Sequence, residues 1–249
     1  RSQGHENLTF YIPDRYTEGY GVSVASIDYA QQKGVSLVIA LDCGIKAVEK
    51  VDYANGKGID FIICDHHLPG DRIPQAVAVL DPKREDCSYP FDELSGCGVG
   101  FKLIQGYAQK RGIPFTEVEK LLDLVVVSTA ADIVPLTGEN RILAYYGLRR
   151  LNENPRKGLH SIIRICGLDK HQITIDDIVF KIGPRINAAG RIEHGQQAVE
   201  LLLSHDLSQA EQIGLRIDKN NSQRQDLDKE ITRQALEMFG TEDHLQDAW

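Results

Sequence analysis

The first third of the chain carries short, unbroken apolar runs, and the remainder carries apolar residues at helical spacing. Residues 37–41 (Leu-Val-Ile-Ala-Leu) and 76–80 (Ala-Val-Ala-Val-Leu) form two such runs, and 59–64 (Ile-Asp-Phe-Ile-Ile-Cys) is a third, apolar except at Asp60. Runs that are apolar throughout, with no in–out alternation, predict strands covered on both faces, as in a parallel sheet. Between the first two, Ala47, Val48, Val51 and Ala54 recur at helical spacing and are closed by Gly56 and Gly58. Residues 22–33 predict a further helix that stops at Gly34. Residues 8–12 predict a short strand stopped by Pro13, and the polar, glycine-containing stretch 14–21 predicts a loop. Strands alternating with helices in this way specify an α/β fold, a parallel β-sheet flanked by helices.

From Ser95 the pattern turns helical. Ser95-Gly96-Cys97-Gly98-Val99-Gly100 is a glycine-rich turn leading into a helix start at 101–104. Such a turn can cradle an anion on backbone N–H groups, or be only a turn. Residues 121–131 are apolar and read as a buried helix running into Asp132; 140–151 and 155–165 read as further helices. Residues 180–191 set Arg185, Asn187 and Arg191 among glycines and alanines. That composition suits either a backbone held close to an anionic ligand or a tight loop whose arginines cap nearby carbonyls. Ser208-Gln209-Ala210-Glu211 has capping-box spacing. The polar stretch that follows, to about residue 239, predicts one long helix of roughly 45 Å. Its polarity predicts an exposed bridge towards another domain.

The candidate chemistry lies at the ends of the predicted strands. The second runs directly into Asp65-His66-His67, the first into Asp42, and the third into Asp81. Adjacent ionisable groups are costly inside a strand, so they belong on the rim where it ends. Right-handed crossovers bring successive strand ends to the same edge of a parallel sheet. Imidazole and carboxylate gathered there suit a metal ion better than a polar surface junction. A zinc site drawn from Cys43, Cys64, His66 and His67 is conceivable, but the spacing is not that of structural zinc.

Composition narrows the classes. Five cysteines without a Cys-x-x-Cys pair favour reduced thiols and a cytoplasmic setting. No apolar run is long enough to cross a bilayer, which argues against a membrane partner. A net charge of −8 argues against a polyanion, yet residues 139–191 hold ten basic side chains and five acidic ones. A basic flank on an acidic body can hold nucleic acid, or be a run of solvated helix faces.

Six stretches together resemble the DHH phosphoesterase family, most closely its RecJ branch of single-strand-specific exonucleases. They are residues 12–21, 41–44, 64–67, 95–103, 129–136 and 183–191, in the family's order and over nearly the whole chain. The resemblance implies two divalent ions, Mn²⁺ or Mg²⁺, on the sheet rim. It implies that Asp42 bridges them, that His66 and Asp132 ligate one, and that His67 meets a ligand or the scissile phosphate. Asp65 would orient the histidines. Arg15, Ser95, Gly96, Arg185, Asn187 and Arg191 match positions along a nucleic-acid path. The implied activity is metal-dependent 5′-to-3′ hydrolysis of single-stranded DNA in repair and recombination, with unidentified repair or replication proteins as further partners.

The family's Asp-x-Asp motif falls upstream of residue 1, and its second, glycine-rich domain falls beyond the long helix. The expectation is therefore a fragment, with a DHH domain over 1–206, a connecting helix over 207–249, an incomplete two-metal site and little activity alone. Two alternatives are a DHH phosphodiesterase acting on short oligonucleotides or cyclic dinucleotides, and a catalytically silent DHH scaffold.

Overall fold

The computed structural model describes residues 7–192 and 195–241, except for the side chains of 190–192 and 238–241. Its sheet has three parallel strands, β1 (Leu37–Leu41), β2 (Asp60–Cys64) and β3 (Ala78–Leu80), in the order β1-β2-β3. Helix α1 (Val24–Gln32) precedes β1, and α2 (Val48–Gly56) makes the crossover to β2. Ser23 and Ser26 close a reciprocal capping box at the start of α1. Residues 65–77 join β2 to β3 without a helix.

Residues 8–12 form no strand, contrary to the pattern. The aromatic and aliphatic side chains of this stretch are largely exposed, and its backbone joins no sheet edge. Coverage of β1 is also one-sided. Ala40 of β1 and Phe61 and Ile63 of β2 pack with Ile27, Ala30, Val51 and Ala54 of α1 and α2. On the opposite face Cys64 packs with Leu94, Val99 and Phe101, the last two from α3 (Gly96–Arg111). Leu37, Ile39 and Leu41 share that face but stay exposed. Helix α3 lies over β2 and reaches β1 only near Leu41.

The second half is helical. After α4 (Phe115–Val118) and a 3₁₀ turn come α5 (Leu122–Ala131), α6 (Gly138–Glu153) and α7 (Lys157–Ile165). Asp123 of α5 is fully buried. Arg156, just before α7, donates to its two carboxylate oxygens at 2.7 and 3.0 Å. The one-turn α8 (Ile175–Asp177) and a π-helical turn (Ile178–Ile182) lead into α9 (Gly183–Ile192). Residues 180–191 are thus helical rather than a loop. Pro184 lies two residues past the π-helical turn in a run that is helical without a break from Ile175, so its missing N–H interrupts the intrahelical ladder there.

Helices α10 (Gln196–Leu203) and α11 (Leu207–Thr241) complete the described chain. The side chain that caps α11 is Asp206, accepting from Gln209 N at 2.7 Å, and not Ser208. Nor is α11 an exposed bridge along its whole length. Ala210, Ile213 and Ile217 enter a core shared with Leu159, Ile162, Ile178, Ile182, Ala189 and Leu201. The helical core therefore continues past residue 206, and only the distal part of α11 leaves it.

Candidate metal centre

Parallel register builds the site. Leu41 pairs with Cys64, and Cys64 with Leu80, so Asp42, Asp65 and Asp81 each stand one residue past a paired strand end. Asp42 N donates to Cys64 O at 2.8 Å and Asp65 N to Leu80 O at 3.0 Å, carrying the ladder one step beyond the strands. Asp42 then turns sharply, with φ 62°. The other described non-glycine residue of positive φ is Ile133, at 55°, next to Asp132. Left-handed backbone is strained for a β-branched residue, and such strain concentrates where a fold positions functional groups.

Ligand atoms of Asp42, His66 and His67 lie within 4.8 Å of one another. Their surroundings explain how they are aimed. His66 Nδ1 lies 3.0 Å from Leu94 O, and His67 Nδ1 lies 2.6 Å from Asp65 Oδ1. Both partners are acceptors, so each neutral ring carries its proton on Nδ1 and presents a lone pair at Nε2. Orientation of a ligand histidine through its other nitrogen is the usual arrangement at metal sites. His66 Nε2 stands 3.1 Å from Asp42 Oδ1. Two lone-pair donors that close require a proton or a cation between them. Accordingly the hydrogen bond to Asp42 is the main cause raising the His66 pKa.

Asp65 is the buried hub beneath the histidines. Its carboxylate accepts from Ile45 N at 2.9 Å, His66 N at 2.8 Å and His67 N at 3.3 Å, besides the His67 ring. Burial pushes its carboxyl up, but these hydrogen bonds outweigh burial and hold it below the usual carboxylate range. It stays charged, fixes the His67 ring and holds the backbone of His66.

Asp132 ends α5 on the same side of the molecule. Its carboxylate lies outside the 4.8 Å group and accepts from Ser128 Oγ at 3.4 Å. Desolvation, followed by the negative charge of Asp42, pushes the Asp132 carboxyl up. The resemblance assigns His66 and Asp132 to one ion; in the structure His67, Asp42 and His66 are gathered, and Asp132 lies within electrostatic reach of Asp42 and His66.

Asp81 also reaches the rim but is buried, with Oδ1 accepting from Lys83 N at 2.9 Å and Oδ2 without a partner among the described residues. Burial pushes its carboxyl up. Burial pushes the Cys43 and Cys64 thiols up to about 11, and neither sulfur joins the Asp42, His66 and His67 group among the described residues.

Gly96 and Ser95 serve structure here. A Cβ on Gly96 would lie 2.1 Å from Asp42 Oδ1, so glycine is what lets the carboxylate rest against the start of α3. Ser95 is fully buried; it caps α3 through Gly98 N at 3.1 Å and meets Thr129 Oγ1 at 3.2 Å. A buried hydroxyl cannot meet nucleic acid, which corrects that expectation. Arg185 is held by Asp218 at 2.7 Å and donates to Lys181 O at 2.9 Å, so capping accounts for part of its role. Asn187 is exposed on α9, while the Arg191 side chain lies outside the described residues. Arg15 is exposed in the loop before α1, 5.1 Å from the centre of the Tyr20 ring.

Sequence reasoning passed over Lys83, whose charge reaches both His66 and Asp81. Its position three residues beyond the end of the third predicted strand was the available signal. The Leu94 carbonyl carried no signal, since any residue supplies one.

A model of the DHH family, N-terminal domain, matches residues 2–129. The chain is 42% identical over 231 residues to the single-stranded-DNA-specific exonuclease RecJ of Bacillus subtilis, covering 93% of this chain and 29% of that protein. It is 35% identical to the Escherichia coli protein of the same name, covering 95% of this chain and 43% of that one. The chain thus spans less than half the length of the curated relatives it matches. Among solved structures, exonuclease RecJ bound to manganese aligns with a TM-score of 0.82 at 30% identity, covering 92% of this chain and 57% of that one. RecJ of Thermus thermophilus in complex with Mn²⁺ aligns at 0.76 and 28%, covering 85% and 31%. With a family match over half its length and a strand-end Asp-His-His in the matched region, the chain belongs to the DHH family.

Proposed function

We propose that this domain supplies the metal-binding half of a phosphodiesterase acting on single-stranded DNA. The observation that carries this is the convergence of ligand atoms of Asp42, His66 and His67, each ring held at Nδ1 by its own acceptor. A mixed imidazole and carboxylate set with protonated thiols nearby fits Mn²⁺, with Mg²⁺ as the harder alternative. A divalent ion held there would lower the pKa of a bound water and offset charge on a phosphodiester. Asp42 and the two Nε2 atoms would hold it. Asp132, kept close but outside the trio, would complete the set or bind a second ion.

The chain's own residues do the remaining work. Asp65 and the Leu94 carbonyl fix the ring planes and tautomers. Asp42 and His67 are exposed, so the site opens to solvent and to a long substrate. Lys83 adds positive charge beside His66. The substrate class is supported by the relatives, named as single-stranded-DNA-specific exonucleases.

Titration calorimetry of the 249-residue chain with Mn²⁺ tests the reading. Asp42→Asn and His66→Gln are each expected to weaken binding about tenfold or more. Wild-type affinity in both variants would overturn the assignment of the site.

A further inference from the structure

Helix α6 buries Asn140, Leu143, Ala144, Gly147 and Leu151. Its opposite face exposes Arg141, Ile142, Tyr145, Tyr146 and Arg149. These positions, spaced i, i+1, i+4, i+5 and i+8, form one continuous stripe. The aromatic pair is well outside the core, with Tyr145 65% and Tyr146 51% exposed. Their rings stand 5.1 Å apart at 88°. Arginines bracket them, and no acidic residue lies between Arg141 and Arg149. Arg149 pairs with Glu153 at 3.0 Å, at the far end of the stripe. Among the described residues Arg141 has no carboxylate partner. On a chain of net charge −8, a stripe of two arginines around two tyrosines is a local exception.

The stripe is tied to the metal centre. The Asn140 amide donates to Glu93 O at 2.5 Å and to Pro135 O at 3.0 Å. Glu93 adjoins Leu94, whose carbonyl fixes His66, and Pro135 lies in the turn that follows Asp132. The start of α6 is therefore pinned to two shoulders of the site, and Tyr145 stands about 7.5 Å of helix rise beyond Asn140. Exposed Ile133 and Leu136 occupy the turn between Asp132 and the helix.

We propose that this face of α6 is a stacking platform for single-stranded DNA, carrying the strand away from the metal centre; the proposal rests on the phosphodiesterase reading above. Bases have π-faces that stack on tyrosine regardless of sequence, and the arginines meet the phosphates. A duplex keeps its bases stacked on each other and has none to offer, so the platform selects for a single strand.

The test is fluorescence anisotropy of a dye-labelled oligothymidylate with the 249-residue chain in chelator, where no hydrolysis occurs. The double variant Tyr145→Ala/Tyr146→Ala is expected to bind at least about fivefold more weakly. The double variant Tyr145→Phe/Tyr146→Phe, which keeps the rings, is expected to bind like wild type. Arg141→Gln is expected to reduce the slope of log affinity against log salt by about 0.7. Equal binding by the alanine variant and wild type, or no binding by wild type, overturns the platform. Mn²⁺ calorimetry on the same alanine variant separates this failure from failure of the metal site. Unchanged uptake there leaves the phosphodiesterase reading standing on another DNA path.

Discussion

The contact between Gly96 and Asp42 shows how closely the site depends on single atoms. Because a Cβ at 96 would overlap the Asp42 carboxylate, Gly96→Ala is expected to push that carboxylate off its position and weaken Mn²⁺ binding about tenfold. Calorimetry beside a thermal melt checks this, and the melt guards against general misfolding. Asp81 offers a pH test. Burial raises its folded-state pKa, and its Oδ2 has no partner among the described residues. A carboxyl raised in the fold costs stability above that pKa, and the cost is relieved as pH falls through it. Asp81→Asn is therefore expected to be more stable than wild type by on the order of 1 kcal/mol near neutral pH. Urea melts should show the difference shrinking as the pH is lowered. A difference constant with pH would contradict the direction assigned to Asp81. The residues legible in the sequence were those next to strand ends, where an ionisable group has few alternatives to the rim. Ser95 and Gly96 were misread because a glycine-rich turn before a helix serves equally as an anion cradle, a cap or a close approach. Only coordinates separate these uses.

Most elements followed from apolar spacing, and the exceptions have definite causes. Residues 8–12 have strand composition but pair with neither edge of the sheet among the described residues. Residues 180–191 offer a tight loop by composition, yet they lie in a helical run whose π-helical turn immediately precedes Gly183-Pro184. Polarity along α11 concealed the fact that Ala210, Ile213 and Ile217 alone suffice to dock its first turns. Much of the basic excess of residues 139–191 is consumed by such packing, with Arg156 on Asp123, Arg164 on Glu211 and Arg185 on Asp218. The first of these joins elements. Arg156→Gln would leave the fully buried Asp123 carboxylate without its guanidinium and is expected to cost on the order of 3 kcal/mol. Chemical denaturation measures it directly. A loss below about 1 kcal/mol would show that the pair is not a principal tie between α5 and the start of α7.

Across the whole molecule, a three-stranded parallel sheet delivers three acids and two histidines to one edge, and a helical half brings Asp132 within electrostatic reach of them. The α/β class and the strand-end chemistry were readable from the chain. The trio of Asp42, His66 and His67, with Asp132 held outside it, was not, because side-chain direction at a strand end depends on the turn that follows. The central claim is that both histidines ligate through Nε2. Pulsed electron paramagnetic resonance on Mn²⁺ bound to ¹⁵N-histidine-labelled protein reads this directly. Couplings to two imidazole nitrogens are predicted, one vanishing in His66→Gln and the other in His67→Gln. Absence of imidazole coupling, or a spectrum unchanged in both variants, would contradict it.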